Sequence, residues 1–245
     1  MKNSYQKDSF IGLSHRGNSK KFIENSFEAF NSVIQMGYKF IETDLRMTLD
    51  KEVIAFHDPD LKRLFNLDLQ VKDLTFNEIN NLFREKNCRL LTLEEAFKEF
   101  PSIHFNIDLK VKEVIQDSID IVSDLNAFDK VCFASFRTSH TEKVLQRNQN
   151  AIVSMGMKDV ALFKFFKLRN KKIKIMQIPL KWKGIKVLTK NLIQKADRNN
   201  LLVHVWTVND RKTINELIDF GVNGIVTDEP ELLMEIMKER DLISN

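Results

Sequence analysis

The sequence predicts a single (β/α)8 barrel, and three observations lead to this prediction. Eight short strand-like runs alternate with helical patterns, and eight parallel strands close a barrel of this kind. The 245 residues fit its usual length of about 250 residues. The hydrophobic content of 43% can fill one large core. We therefore assign residues 1–245 to one domain.

The predicted elements follow one another in a regular order. The strand-like runs occupy 10–17, 39–45, 103–110, 131–136, 151–157, 174–180, 202–209 and 221–228. Helical patterns occupy 26–37, 92–100, 112–125, 138–148, 160–170, 188–199 and 210–221. The segment 46–90 breaks this order, because it holds an extra strand at 52–58 and a polar stretch rich in Asn, Asp and Lys. We interpret it as a cap inserted after the second strand.

Charge and cysteine content narrow the class of protein. The net charge of +4 without a dominant basic block argues against nucleic acid as the main partner. Cys88 and Cys132 are the only cysteines, which excludes a disulfide framework and a Cys-rich zinc site. The N-terminal residues lack the apolar region of a signal peptide, and no apolar run reaches the ~18 residues of a membrane span. We expect a cytoplasmic protein without a transmembrane segment.

Carboxylates share one side of two neighbouring predicted strands. Glu42 and Asp44 are two positions apart and point the same way. In the run 103–110 one face is apolar and should meet the outer helices, so Asp108 and Lys110 should point into the barrel. Surface charges or salt-bridged lumen residues would explain any single acid. Three acids that point to the same side of neighbouring strands favour a site for a hard divalent cation, Mg²⁺ or Ca²⁺.

Two histidines end strands at the same edge. His15 precedes Arg16 at the end of the first predicted strand, and His57 ends the inserted strand. Arginine suits phosphate oxygens, and histidines can move protons, so the set fits phosphate-ester hydrolysis. Each histidine alone is more typical of a structural residue, and we interpret His104 and His204 in that way.

Short motifs, in this order and spacing, resemble those of the glycerophosphodiester phosphodiesterases, a family of phospholipase-C-like phosphodiesterase barrels. The matching motifs are SHRG (14–17), IENS (23–26), IETD (41–44), FHD (56–58) followed by Leu61 and Arg63, LTLEEAF (91–97), NIDLK (106–110), SF (135–136), WTVN (206–209) and GVNGIVTDEP (221–230). The resemblance implies metal-dependent hydrolysis of glycerophosphodiesters to sn-glycerol 3-phosphate and an alcohol.

The resemblance also implies roles for individual residues. His15 and His57 would be the general acid and base. Glu42, Asp44 and Asp108 would be ligands of one Mg²⁺ or Ca²⁺ ion. Arg16 and Lys110 would bind the phosphate. Asp108 departs from the family pattern, which has Glu there, so the cation could sit differently or bind through a water. Asn25 is interpreted as a helix N-cap, a contact in the site, or both, and Trp206 is interpreted as lining the pocket.

Two other functions remain open at this point. A lysophospholipase D on the same barrel would accept single-chain lysophospholipids. A non-catalytic phosphate-binding barrel is disfavoured, because the full set of catalytic side chains is present. In the loop 179–186, Trp182 lies between two lysines and is either a lid packed on the rim or a weak contact with a membrane surface. The phenylalanines of 163–174 are interpreted as core.

Overall fold

The computed structural model describes Tyr5 and residues 9–243. Eight parallel strands form a nearly closed barrel. They are β1 (Ile11–His15), β2 (Phe40–Met47), β4 (His104–Leu109), β5 (Val131–Ala134), β6 (Ile152–Val153), β7 (Ile175–Pro179), β10 (Leu202–Trp206) and β11 (Gly224–Thr227). Their spatial order is β6-β5-β4-β2-β1-β11-β10-β7. A single parallel bridge between Ser154 and Ile175 spans the remaining gap between β6 and β7. The predicted barrel is confirmed: seven of its strands lie within their predicted runs, and β2 extends two residues beyond its run.

Helices follow the strands around the outside. They are α1 (Phe27–Gln35), α4 (Leu93–Glu99), α5 (Val114–Asp124), α6 (Thr138–Arg147), α7 (Met157–Phe166), α8 (Lys190–Asp197), α9 (Arg211–Asp219) and α10 (Pro230–Glu239). The sequence analysis did not predict α10. Pro230 is the first residue of this helix, where the fixed φ of proline favours a helix start. No helix within the described residues is long and apolar enough to cross a membrane.

The main core lies between the strands and the helices. Phe105, Ile107 and Leu109 of β4 are fully buried in it, as their parity predicts. A second apolar cluster fills the lumen below the site and includes Leu13, Ile175 and Val226. Because the lumen is packed at its lower end, the polar side chains of β2 and β4 are left at its upper end.

The segment after β2 forms a small subdomain beside the barrel mouth. It holds β3 (Val53–Ala55), which pairs antiparallel with β2, and the helices α2 (Lys62–Phe65) and α3 (Phe76–Arg84). The polar stretch conceals an amphipathic helix, since Ile79 and Phe83 are one turn apart and fully buried. A capping box between Thr75 and Glu78 starts α3. This packing fixes the end of β3, where His57 lies.

A hairpin follows β7. It consists of β8 (Lys181–Trp182) and β9 (Ile185–Lys186), which pair antiparallel. Its turn residues, Lys183 and Gly184, have φ values of 47° and 81°. Positive φ at both central residues is the type I′ arrangement that suits two-residue hairpins.

Candidate active site

The register of three parallel strands brings the predicted site residues together. His15 on β1 pairs with Glu42 on β2, and Asp44 on β2 pairs with Asp108 on β4. Since parallel strands end at the same edge, these side chains meet at the C-terminal mouth of the barrel. They line one cavity of about 440 Å³ together with Arg16, Lys110 and His57.

Asp44 is the buried centre of the cluster. Arg16 Nε lies 2.9 Å from its Oδ2, and Lys110 Nζ lies 2.8 Å from its Oδ1. Burial would raise the pKa of Asp44, but the two cations hold it well below its usual range. Lys110 Nζ also lies 2.6 Å from Asp108 Oδ2, so this lysine bridges the two carboxylates. Arg16 and Lys110 therefore favour the ionised form of Asp44.

The turn after β1 directs Arg16 into the site. Arg16 and Gly17 both have positive φ, at 59° and 76°. A Cβ on residue 17 would lie 2.6 Å from the carbonyl carbon of Ala29, so only glycine fits there. The HRG motif is thus explained by the close approach of this turn to α1.

Asn25 contacts the site and does not cap the helix. Its Nδ2 donates to Asp44 Oδ2 at 3.1 Å, and its Oδ1 accepts from Thr43 Oγ1 at 2.9 Å. The N-cap of α1 is Ser26, whose hydroxyl accepts from the backbone N–H of Ala29. The interpretation of Asn25 as the cap is therefore wrong. The hydrogen bond from Thr43 orients the Asn25 amide, and the bond from Asn25 Nδ2 in turn helps to orient the Asp44 carboxylate.

Glu42 is the least compensated charge of the cluster. Its Oε2 is buried without a hydrogen-bond partner among the described residues, and His15 Nε2 is 3.7 Å away. Burial and the neighbouring Asp44 raise the pKa of Glu42, although His15 and Lys110 oppose the shift. A buried carboxylate oxygen of this kind suits a cation as its partner.

The three carboxylates are not arranged as a metal site in this structure. No group of three or more His, Cys, Asp or Glu side chains in the described part of the chain has an arrangement that could hold a metal ion. Lys110 separates Asp44 from Asp108, so these two acids are paired with the chain's own cation. The donor set itself, three carboxylates with one bare oxygen on Glu42, is of the type that Mg²⁺ and Ca²⁺ prefer. The metal ligands remain a prediction.

His15 is oriented by a carboxylate that the sequence interpretation missed. Its Nδ1 lies 2.6 Å from Asp228 Oδ1, and Asn209 Nδ2 donates to Asp228 Oδ2 at 2.8 Å. Burial alone would lower the pKa of His15, but Glu42 and Asp228 outweigh it, and the pKa is raised. The sequence does contain a signal for this residue, because Asp228 belongs to the motif GVNGIVTDEP (221–230).

His57 has a similar partner but the opposite pKa shift. Its Nδ1 lies 2.7 Å from Asp58 Oδ1, and Arg63 Nε donates to Asp58 Oδ2 at 2.6 Å. Burial together with Arg16 and Lys110 lowers the pKa of His57, although Asp44 and Asp58 oppose the shift. The direct His-Asp sequence at 57–58 was the signal for this pair.

Glu24 connects the two turns around the site. It accepts from Arg16 Nη1 at 3.0 Å and from both terminal nitrogens of Arg63, at 2.8 and 2.5 Å. Because Arg63 also holds Asp58, the acid links the β1 turn to the inserted segment. The sequence analysis did not assign a role to Glu24, because this residue lies in a loop, where side-chain periodicity does not indicate the direction of a side chain.

Trp206 and Trp182 form an aromatic wall of the same cavity. Phe136 lies between them, with ring centroids 5.3 Å from Trp206 and 5.6 Å from Trp182. The wall continues through Met155, Ile178 and other apolar side chains on β7, α7 and the hairpin. Trp182 is half-buried, which matches the rim-packing alternative for this residue.

The sequence and the fold of this chain are both similar to those of known phosphodiesterases. Residues 15–232 match the model of the Glycerophosphoryl diester phosphodiesterase family. A probable glycerophosphodiester phosphodiesterase 2 of Mycobacterium tuberculosis is 26% identical over 94% of this chain and 91% of its own. A lysophospholipase D of Rattus norvegicus is 26% identical over 92% of this chain and 85% of its own. An Oleispira antarctica phosphodiesterase, solved with the product sn-glycerol-3-phosphate, has the same fold, with a TM-score of 0.77 at 17% identity, covering 94% and 96% of the two chains.

Proposed function

Because this chain belongs to the glycerophosphoryl diester phosphodiesterase family, and is thus a phosphoric diester hydrolase, we propose that it converts soluble glycerophosphodiesters to sn-glycerol 3-phosphate and an alcohol. One observation carries the proposal. Two histidines, each oriented by an aspartate, face a cavity that also holds Arg16 and Lys110. Such a cavity binds a phosphodiester anion between two proton-transfer groups.

The pKa shifts of the two histidines support opposite roles in proton transfer. His57, whose lowered pKa favours the neutral form, takes the proton of the attacking oxygen. His15, whose raised pKa favours the protonated form, gives its proton to the oxygen of the departing alcohol. The bond from phosphorus to that oxygen breaks as the new bond forms. If water supplies the attacking oxygen, this step gives sn-glycerol 3-phosphate directly. If the glycerol 2-hydroxyl supplies it, the step gives a cyclic phosphate, and a second step in which water attacks phosphorus must open the ring to give sn-glycerol 3-phosphate.

The remaining charged groups bind and stabilise the phosphoryl oxygens. Arg16 and Lys110 point into the cavity and offer N–H donors to the negative charge that develops there. Glu42, Asp44 and Asp108 would hold the divalent cation, which supplies further charge stabilisation when bound. Lys110 must turn from Asp44 and Asp108 towards the substrate for these acids to act as ligands.

A product assay tests the proposal. The purified protein is incubated with glycerophosphocholine and glycerophosphoethanolamine, with and without Mg²⁺ or Ca²⁺, and the products are identified by mass spectrometry. We expect sn-glycerol 3-phosphate together with choline or ethanolamine. No turnover of either diester with any divalent cation would contradict the proposed activity.

The apolar wall of the cavity favours a second candidate function. Phe136, Met155, Ile178 and Trp182 line the space beside the phosphate-binding side chains, where an acyl chain could lie. A lysophospholipase D would use this space for single-chain lipids. Lysophosphatidylcholine in the same assay separates the two candidates, because this activity releases lysophosphatidic acid and choline.

A further inference from the structure

Two large apolar side chains near the end of α7 are exposed, as is one on the hairpin. Phe165 and Phe166 are 71% and 68% exposed, and Ile185 is 69% exposed. Of the three phenylalanines interpreted as core, only Phe163 is buried. That interpretation is wrong for the other two, and this much exposed aromatic surface requires an explanation.

These side chains belong to one surface beside the mouth of the cavity. Lys164 Nζ donates to the carbonyl oxygens of Lys186 and Val187, both at 3.0 Å, and so holds α7 against the hairpin. Phe165 and Ile185 line the catalytic cavity from these two elements. We call the exposed side chains Phe165, Phe166, Lys181, Lys183, Ile185 and Lys186 the α7–hairpin surface.

Positive charge is concentrated in the segment that carries this surface. Residues 160–196 contain eleven Lys or Arg and no Asp or Glu. The remaining 208 residues contain 27 Lys or Arg and 34 Asp or Glu, so they are net negative. The small net charge of the whole chain therefore conceals a strongly basic segment in an otherwise acidic protein. Three of these basic residues, Lys181, Lys183 and Lys186, lie on the α7–hairpin surface itself, and no acidic residue belongs to that surface, so it favours an anionic partner.

We propose that the α7–hairpin surface docks on an anionic lipid bilayer. Exposed Phe and Ile side chains among lysines are typical of elements that insert shallowly between acidic headgroups. The type I′ turn at Lys183 and Gly184 leaves both residues exposed at the tip of the hairpin. Trp182 is not the anchor, because it packs on Phe136 inside the cavity. Docking in this way places the cavity mouth next to the membrane surface.

Vesicle co-sedimentation tests the proposal. The intact protein is mixed with vesicles of phosphatidylcholine alone, or of phosphatidylcholine with phosphatidylglycerol. We expect binding to the phosphatidylglycerol vesicles only, and weaker binding as the salt concentration rises. Because no turnover is measured, the result is independent of which diester the enzyme hydrolyses.

A matched pair of double variants locates the contact. Phe166→Ser with Lys183→Asn removes one exposed apolar side chain and one lysine at positive φ. Leu49→Ser with Lys51→Asn makes the same change on the inserted segment, where Leu49 is exposed and Lys51 also has positive φ. We expect the first pair to weaken binding at least about fivefold, the effect of one lysine at an anionic surface, and the second to leave it unchanged. Hydrolysis of soluble glycerophosphocholine should be equal in both.

Three results would overturn the proposal. The first is an intact protein that does not bind phosphatidylglycerol vesicles. The second is equal loss of binding in the two double variants, which would place the contact elsewhere. The third is a dimer in sedimentation velocity that Phe166→Ser converts to monomer, since the surface would then be covered by a second copy of the chain.

Discussion

The opposite pKa shifts of the two histidines predict which limb of the pH–rate profile each aspartate controls. A general base must be neutral, so kcat/KM rises with pH through the pKa of His57. A general acid must be protonated, so kcat/KM falls with pH through the pKa of His15. Asp228 is one of the groups that raise the pKa of His15. Asp228→Asn should therefore move the alkaline limb to lower pH and leave the acidic limb in place.

The size of the shift follows from the geometry. An opposite charge close to a titrating group moves its pKa by about 1–3 units. Asp228 contacts His15 at 2.6 Å, but its side chain is 33% exposed, and solvent screening places the effect near the lower end, at about one unit. Asp58→Asn should move the acidic limb to lower pH by less than this, because Arg63 already offsets the charge of Asp58.

The assay is kcat/KM for glycerophosphocholine across pH, measured for the intact enzyme and both variants. kcat should also fall in Asp228→Asn, because its amide can present N–H to His15 Nδ1 and stabilise the wrong tautomer. Thermal melting at pH 7 serves as the control for folding. A shift of the acidic limb in Asp228→Asn, or an alkaline limb that stays in place, would refute the assignment of His15 as the acid.

Three further predictions concern the metal, the base and the fold. Excess EDTA should abolish turnover and added Mg²⁺ or Ca²⁺ should restore it; full activity in EDTA would remove the ligand role from Glu42, Asp44 and Asp108. His57→Ala should lower kcat at least ~10²-fold with an unchanged melting temperature, and loss of stability in place of rate would give His57 a structural role. Burial lowers the folded-state pKa of His204 to about 3, below its unfolded value, so stability is lost as pH falls from about 6.5 towards 3. Between pH 7 and 4.5, the free energy of unfolding measured in urea should fall by about 2–3 kcal/mol less in His204→Asn than in the parent protein. An equal fall in both proteins would contradict this.

The strand-borne part of the site could be predicted because a strand has a fixed period. Glu42, Asp44 and Asp108 share parity, and parallel strands align their ends, so periodicity and fold class together place them at one edge. The core residues of β4 were predictable for the same reason. The parts of the site that depend on periodicity were thus accessible from sequence alone.

Loop residues were beyond this reasoning. Glu24, Asn209 and Asp228 reach the site from loops, and Arg63 reaches it from the short helix α2, so their positions depend on tertiary packing. Asn25 shows the difficulty in one residue: its sequence context suits a helix cap, yet a left-handed φ of 61° turns it towards Asp44 and leaves the cap to Ser26. The exposed Phe165 and Phe166 failed for a related cause. A helical pattern does not indicate which side of α7 faces the barrel, because a hairpin also packs against this helix.

Charge balance connects the substrate to the cluster of carboxylates. With Glu42 ionised, the three acids together with Arg16 and Lys110 sum to one negative charge. Burial and the neighbouring Asp44 raise the pKa of Glu42, whereas for Asp44 the effect of burial is outweighed by Lys110 and Arg16, which lower its pKa. In the proposed mechanism, the further negative charge of the diester would be offset by the protonated form of His15 and by a divalent cation held at these acids. The diester also gives Lys110 a new anionic partner, so substrate binding and release of the carboxylates by Lys110 should favour each other.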